Sequence, residues 1–233
     1  MKKNLKNKWA LVTGSSRGIG QQIALGLASL GCNLIVHGRK LENTAATCEM
    51  LQQSGVEVKA VAGDLDSEAS IATLIDAVNA ITPQLDILYN NAAISCESTP
   101  VFEFDMSVWQ KVLQTNLYAM VQLCNAFGPG MKSRNWGRIV NLSSGIADQP
   151  NLAPYSVSKA AVDKFTKDLA FEFKDTQVRV NCIDPGWIRT DLGGPDAWDA
   201  VESVLPGMIA PVNVVDNGPN GEYFQAQDFK YFD

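Results

Sequence analysis

Tyr155 and Lys159 stand four residues apart in P-Y-S-V-S-K, the spacing in this chain best suited to proton chemistry. Pro154 suits the first turn of a helix. Residues four apart share a helix face, so the spacing sets an ammonium one turn from a phenol. A free tyrosine titrates near ~10, too high for proton exchange at neutral pH. A fixed cation beside it favours the phenolate and turns Tyr155 into an acid/base. Ser143 and Ser144 follow an apolar run over 138–142 that reads as a buried strand. A hydroxyl at the carboxyl end of that strand would polarise a carbonyl oxygen beside the tyrosine. An amphipathic helix with a surface lysine carries the same Y-x-x-x-K, so the pair needs support from the rest of the chain.

That support starts near the amino end. A short apolar run over 9–13 leads into G-S-S-R-G-I-G, and an apolar helical pattern follows through Ile23, Ala24, Leu27 and Leu30. Strand, glycine turn and helix are the context a phosphate-cradling loop needs. Gly14 permits the tight turn; Gly18 and Gly20 let backbone approach a pyrophosphate and let the helix pack on the strand. Amides at the helix start then receive the anion. The second strand, over 33–36, ends in H-G-R-K. An acid there would bond the ribose 2′-hydroxyl of NAD, but none occurs before Glu42. Arg39 and Lys40, with Arg17 in the turn, instead suit the 2′-phosphate of NADP. A solvated start to the next helix would also explain Arg39 and Lys40. His37 reads as a polar residue beside the adenosine.

The elements that would position these groups alternate. Strands are expected over 56–61, 85–89, 138–142, 177–183 and 222–224, and helices over 41–54, 67–80, 106–131 and from Tyr155 to about 174. Ser67 reads as an N-cap, Pro83 as a stop, and 213–220 as a loop. Repeated βα units with strands buried on both faces argue an α/β, doubly wound parallel sheet with helices on both faces. The chain of 233 residues is 46% hydrophobic and 19% charged, enough for one large core. No linker or low-complexity tract divides it, so 1–233 reads as a single domain. Net charge is -6 with no basic block, which disfavours nucleic acid as a partner. No run is long enough to span a membrane, and the basic start lacks the apolar core of a signal peptide. Five scattered cysteines without C-x-x-C read as reduced packing residues of a cytoplasmic protein. One histidine excludes multi-histidine zinc sites, and no metal is expected.

The ordered set T-G-S-S-R-G-I-G (13–20), N-N-A-A (90–93), Asn116, S-S (143–144), Y-S-V-S-K (155–159) and D-P-G-W-I-R-T (184–190) resembles the short-chain dehydrogenase/reductase family across nearly the whole chain, in particular compact NADPH-dependent carbonyl-reductase-like members. The resemblance implies a Rossmann-type fold, with a cofactor half over about 1–142 and a catalytic and substrate part over 143–233. It implies a catalytic group of Asn116, Ser144, Tyr155 and Lys159, Ser144 being favoured over Ser143. Cofactor contacts would come from Gly14, Ser16, Arg17, Gly18, Ile19 and Gly20 in the turn, and from Arg39. Asp64 would meet the adenine amino group with Leu65 beside the ring; Asn90, Asn91 and Ala92 would line the ribose side. Tyr155 and Lys159 would hold the nicotinamide ribose, and Pro185, Gly186, Ile188 and Thr190 would face the nicotinamide.

Three departures from the family pattern stand out. Ala93 replaces the glycine of N-N-A-G, the segment from Ser144 to Tyr155 is shorter than usual, and 191–233 lacks the long substrate-capping insertion of many members. The expected activity is hydride transfer between NADP(H) and a small carbonyl/alcohol pair. Tyr155 would deliver the proton, Lys159 lower its pKa, Ser144 orient the carbonyl and Asn116 support a water-linked proton path. A reductase of carrier-tethered oxoacyl groups and a non-catalytic NADP-binding sensor are the alternatives. Specificity would lie in loops over 95–102, 146–153 and 192–210. Trp187 and Trp198 would pack in the core or wall the substrate mouth. The long helix and the Tyr155 helix would pair subunits into a homodimer or homotetramer, with Val162, Phe165, Leu169 and Phe173 serving both core and interface.

Overall fold

The computed structural model describes residues 4–146 and 148–230; the basic start read in residues 1–3 lies outside them. Strands β1 (Trp9–Val12), β2 (Asn33–Gly38), β3 (Val58–Ala62), β4 (Ile87–Asn90), β5 (Gly137–Leu142), β6 (Val178–Asp184) and β7 (Tyr223–Gln225) form one parallel sheet in the order β3-β2-β1-β4-β5-β6-β7. The order reverses between β1 and β4. At such a switch point neighbouring connections run to opposite faces and leave a crevice beyond the strand carboxyl ends.

Alternating apolar residues build a core on each face of the sheet. Ala10, Val12, Leu34, Val36, Tyr89, Val140 and Leu142 pack on one side with Ile23 and Leu27 of α1 (Gly18–Ser29). The C-terminal turns join that side through Met208 and through Val212 of the short α7 (Ala210–Asn213). Leu11, Ile35, Leu88, Ile139 and Val180 point the other way. There they meet Leu74 of α3 (Glu68–Ile81), Leu123 and Phe127 of α5 (Ala119–Ser133) and Val162 of α6 (Ala153–Glu172). The chain is therefore a Rossmann-like, doubly wound α/β domain. No described helix is long and apolar enough to cross a membrane.

Two expected helices are irregular, one shortened and one continuous but widened at its middle. Residues 41–54 form α2 (Ala45–Leu51) between two 3₁₀ turns, and Gly55, at φ +73°, ends the segment. The helix expected over 106–131 is α4 (Met106–Leu113), then a π-helical turn (Gln114–Tyr118), then α5, which continues through Pro129 to Ser133. The wide turn holds Asn116, whose carboxamide bonds both backbone polar groups of Ile94. Ser67 does cap α3, its hydroxyl accepting the Ser70 N–H. Val162 of α6 and Phe173 just past its end are buried while Phe165 and Leu169 pack against the same core half-buried; Val157 and Phe171 are exposed. The five cysteines are free thiols.

Candidate active site

The glycine turn is braced from beneath. Gly14 takes φ +64°, open to glycine at little cost, and donates its N–H to Nδ1 of His37 at 2.9 Å. The other ring nitrogen, Nε2, faces the Gly63 carbonyl at 3.0 Å, which fixes a neutral imidazole with its proton on Nε2. Burial pulls its pKa down to about 4. Read from sequence as a polar residue beside the adenosine, His37 is buried, braces the turn and also lines the cleft. Thr13 ties the turn to N-N-A-A: its hydroxyl donates to the Tyr89 carbonyl at 3.2 Å and accepts the N–H groups of Asn91 and Ala92, each at 3.0 Å. A Cβ on Gly20 would stand 2.4 Å from the Gly14 carbonyl oxygen, so the contact of α1 with the turn needs glycine. No side chain caps α1, which leaves amides of its first turn open to an anion.

These groups open into a cleft of about 1150 Å³ over the carboxyl ends of the strands. Gly14, Ser16, Arg17, Gly18, Ile19, Gly20, Arg39, Asp64, Leu65, Asn91, Ala92, Pro185 and Thr190 line it, together with Ser143, Tyr155 and Lys159. Gly186 and Ile188 do not. Ile188 is buried in the α1-side core, and Gly186, at φ +86°, makes the turn after β6. Arg17 is paired with Asp191 across the cleft, Nε to Oδ2 at 2.7 Å, with both side chains exposed. Arg39 is exposed. Ala93 lies on the wall and outside the positive-φ region, so its methyl adds no backbone strain.

On the far side of the cleft, β5 delivers Ser143 and Ser144, and the first turns of α6 deliver Tyr155 and Lys159. Ser144 stands beside the Tyr155 phenol and acts to lower its pKa. Ser143 instead donates its N–H to the Ile183 carbonyl, and its buried hydroxyl has no partner in the structure. Lys159 Nζ donates to the Leu142 carbonyl at 2.8 Å and lies 5.6 Å from the centre of the Tyr155 ring. Asn116 stands behind Lys159 and bonds the Ser158 hydroxyl at 3.0 Å. A small space of about 10 Å³, lined by Thr13, Asn90, Asn116 and Lys159, has room for one water.

The electrostatics correct one expectation. Burial pushes Tyr155 up to about 12; Ser144 opposes this, and Asp184 and Cys96 add to it. The ammonium does not bring the phenol down, because it is turned to the Leu142 carbonyl. Burial also pulls Lys159 down to about 8. Trp187 and Trp198, expected in the core or at the mouth, are exposed, stacked edge to face with centres 5.5 Å apart, and off the cleft wall. Of the expected specificity loops, 95–102 supplies Ser95, Cys96, Glu97 and Thr99, and 192–210 supplies Leu192 and Val201. The bracing roles of Thr13 and His37 and the part of Asp191 were missed in the sequence; only the threonine before the glycine turn carried a signal.

Comparison with known proteins agrees with this architecture. The short chain dehydrogenase family model matches residues 8–199. The chain is 37% identical over 193 residues to "Dehydrogenase/reductase SDR family member 4" of Sus scrofa, covering 82% of this chain and 69% of the relative. It is 36% identical over 191 residues to the 3-oxoacyl-(acyl-carrier-protein) reductase FabG of Pseudomonas aeruginosa, covering 81% and 77%. A 3-oxoacyl-(acyl-carrier-protein) reductase of Agrobacterium tumefaciens, solved with NADP bound, superposes with a TM-score of 0.85 at 29% identity, over 95% of this chain and 93% of that one.

Proposed function

This chain belongs to the short-chain dehydrogenase/reductase family, a family of oxidoreductases, and we propose that it is an NADP(H)-dependent member interconverting a carbonyl and an alcohol. The carrying observation is the Tyr155 phenol, with Ser144 beside it and Lys159 one turn on, opening into the same cleft as the glycine turn. The residues fit a dinucleotide: an uncapped helix start, a glycine turn packed so closely on α1 that Gly20 has no room for a Cβ, and exposed Arg17 and Arg39 with no acid at the end of β2. When bound, the nicotinamide gives or takes the hydride.

The chain's own groups do the rest. Tyr155, at about 12, is protonated at neutral pH and so suits the donation of a proton to the developing alkoxide. Ser144 orients the carbonyl oxygen beside it. Lys159 supplies positive charge to the cofactor ribose, and Asn116 with the small space behind it offers the lysine a water-linked path for protons. Likeness to 3-oxoacyl reductases favours a second reading, with carrier-tethered oxoacyl groups as substrate. Glu97, Glu103 and Asp105 on the cleft wall oppose it, since a carrier would need a basic docking patch. A sensor without turnover has no use for Tyr155 and Lys159 together. We read the protein as cytoplasmic and as a homodimer or homotetramer paired through the faces of α5 and α6.

The test is NADPH oxidation against ketones, aldehydes and quinones, with Tyr155→Phe as the control. On a good substrate the variant should lose about 10²–10⁴-fold in kcat and still bind NADPH by fluorescence titration. Near-native kcat in that variant would remove Tyr155 as the proton source.

A further inference from the structure

Asp184 ends β6, is 9% exposed, and takes no part in the scheme above. Three contacts fix its carboxylate. Oδ1 accepts the Gly186 N–H at 2.9 Å. Oδ2 lies so close to Gly145 that a Cβ there would stand 2.8 Å from it. Tyr223, at the start of β7, is its third neighbour, its pKa raised in part by this carboxylate. Gly145 directly follows Ser144, so the carboxylate packs against the turn that carries the serine beside Tyr155.

Lys159 needs a counter-charge and has none in contact. It is buried, and among the described residues its Nζ makes one hydrogen bond, to the Leu142 carbonyl, and no ion pair. A buried ammonium without a nearby anion gives up its proton. Two carboxylates act on it through space, Asp163 one turn further along α6 and then Asp184. One buried oxygen of Asp163, Oδ1, has no hydrogen-bond partner in the structure.

Given the reading of Tyr155 and Lys159 as the working pair, we propose that Asp184 is a positioning residue of the reaction: it pins the Ser144–Gly145 turn and, with Asp163, keeps the buried Lys159 ammonium charged. The other titratable groups near this cluster are Tyr155 on α6, Cys182 on β6, Tyr223 on β7 and Cys96 beside the tyrosine, with Lys167 near Cys182. Burial raises Tyr155 and Cys182 to about 12 and Tyr223 further, which leaves Lys159 as the member that changes charge near pH 8.

Asp184→Asn is the charge-only probe, because the amide oxygen still accepts the Gly186 N–H. Asp163→Asn removes the other charge without touching the serine turn and serves if Asp184→Asn does not fold. Titration of the Lys159 side chain by NMR in isotope-labelled protein, assigned with Lys159→Met, reads the charge without turnover. Each variant should move the Lys159 midpoint from about 8 to lower pH, and the alkaline limb of kcat/KM for carbonyl reduction should move with it. Asp184→Ala should also lower kcat at pH 6, where the lysine is charged in every variant. An unmoved midpoint in both Asn variants overturns the proposal while the carbonyl-reductase reading stands. A moved midpoint in a protein whose Tyr155→Phe form keeps full turnover supports the counter-charge and sinks that reading instead.

Discussion

Each end of β5 holds a buried cation, and the two are treated differently. At the amino end Arg138 is fully buried. Its guanidinium donates to the carbonyls of Gly137 at 2.7 Å, Gln177 at 2.9 Å and Val214 at 3.3 Å, pairs with Asp216, and lies 4.8 Å over the Trp136 ring. Only Nε goes without a partner. At the carboxyl end Lys159 has the single bond to Leu142. Burial lowers both pKa values, but an arginine so bonded keeps its charge across the working range, whereas the lysine is held near 8. A saturated cation fixes structure; an undersatisfied one can exchange protons and answer to a ligand. The same strand is a brace at one end and a reaction centre at the other.

Four substitutions or titrations would break or sharpen that contrast. The largest effect is expected for Lys159→Met, which should cost about 10²–10⁴-fold in kcat, with unfolding free energy unchanged or raised because a buried charge is gone. A destabilised but active variant would erase the distinction, and Lys159→Arg should not restore turnover, its planar fork being unlike an ammonium. Next, Arg138→Met should lose about 3 kcal/mol, the low end for breaking a buried pair, since Asp216 is half exposed and can be solvated. Denaturant unfolding reads that loss, and kcat of the folded fraction should stay near the parent value.

Third comes the pH dependence of stability. The folded pKa of Lys159, about 8, lies below its ordinary ~10.4, so between these values the unfolded chain holds a proton that the folded chain has released. Stability of the parent relative to Lys159→Met should therefore rise from pH 8 to about 10.4, as the cost of the buried charge lifts. A flat difference across that range would mean the lysine is not desolvated. The smallest effect concerns an exposed cation. Arg39→Asp should shift the NADPH-to-NADH ratio of kcat/KM by about tenfold toward NADH, on the order of one charged hydrogen bond, with little change in stability. Equal kcat/KM for the two cofactors in the parent protein would remove Arg39 from that role.

Much of this was legible before any coordinates. The seven-strand alternation follows from apolar runs bounded by turn residues, and the Tyr155–Lys159 pair from a fixed helical spacing; both are local. The serine choice came from the family resemblance, which favoured Ser144; in the structure Ser144 influences Tyr155 while Ser143 lines the cleft. What escaped is tertiary. The phenol's direction of shift depends on burial and on Asp184, 29 positions away in the chain. His37 could be placed beside the turn but not beneath it, because its partners Gly14 and Gly63 come from other strands' ends. The Arg17–Asp191 pair joins loops with no local sign of each other.

The π-helical turn between α4 and α5 has a consequence for how this stretch tolerates changes in length. One residue beyond the α-helical count rotates everything downstream by about 100°. Val112 before the turn is buried at the cleft and Leu123 and Phe127 after it are buried in the core, so two helices of different phase are each fitted to their surroundings by a single surplus residue. Removing any one position between Gln114 and Tyr118 would close the turn into ordinary α-helix and throw one apolar stripe out to solvent. Such a deletion would also carry Asn116 away from Ile94 and Ser158. The reading frame of the helix is thereby locked at its middle, where a chain without the turn could slip by a residue and simply repack.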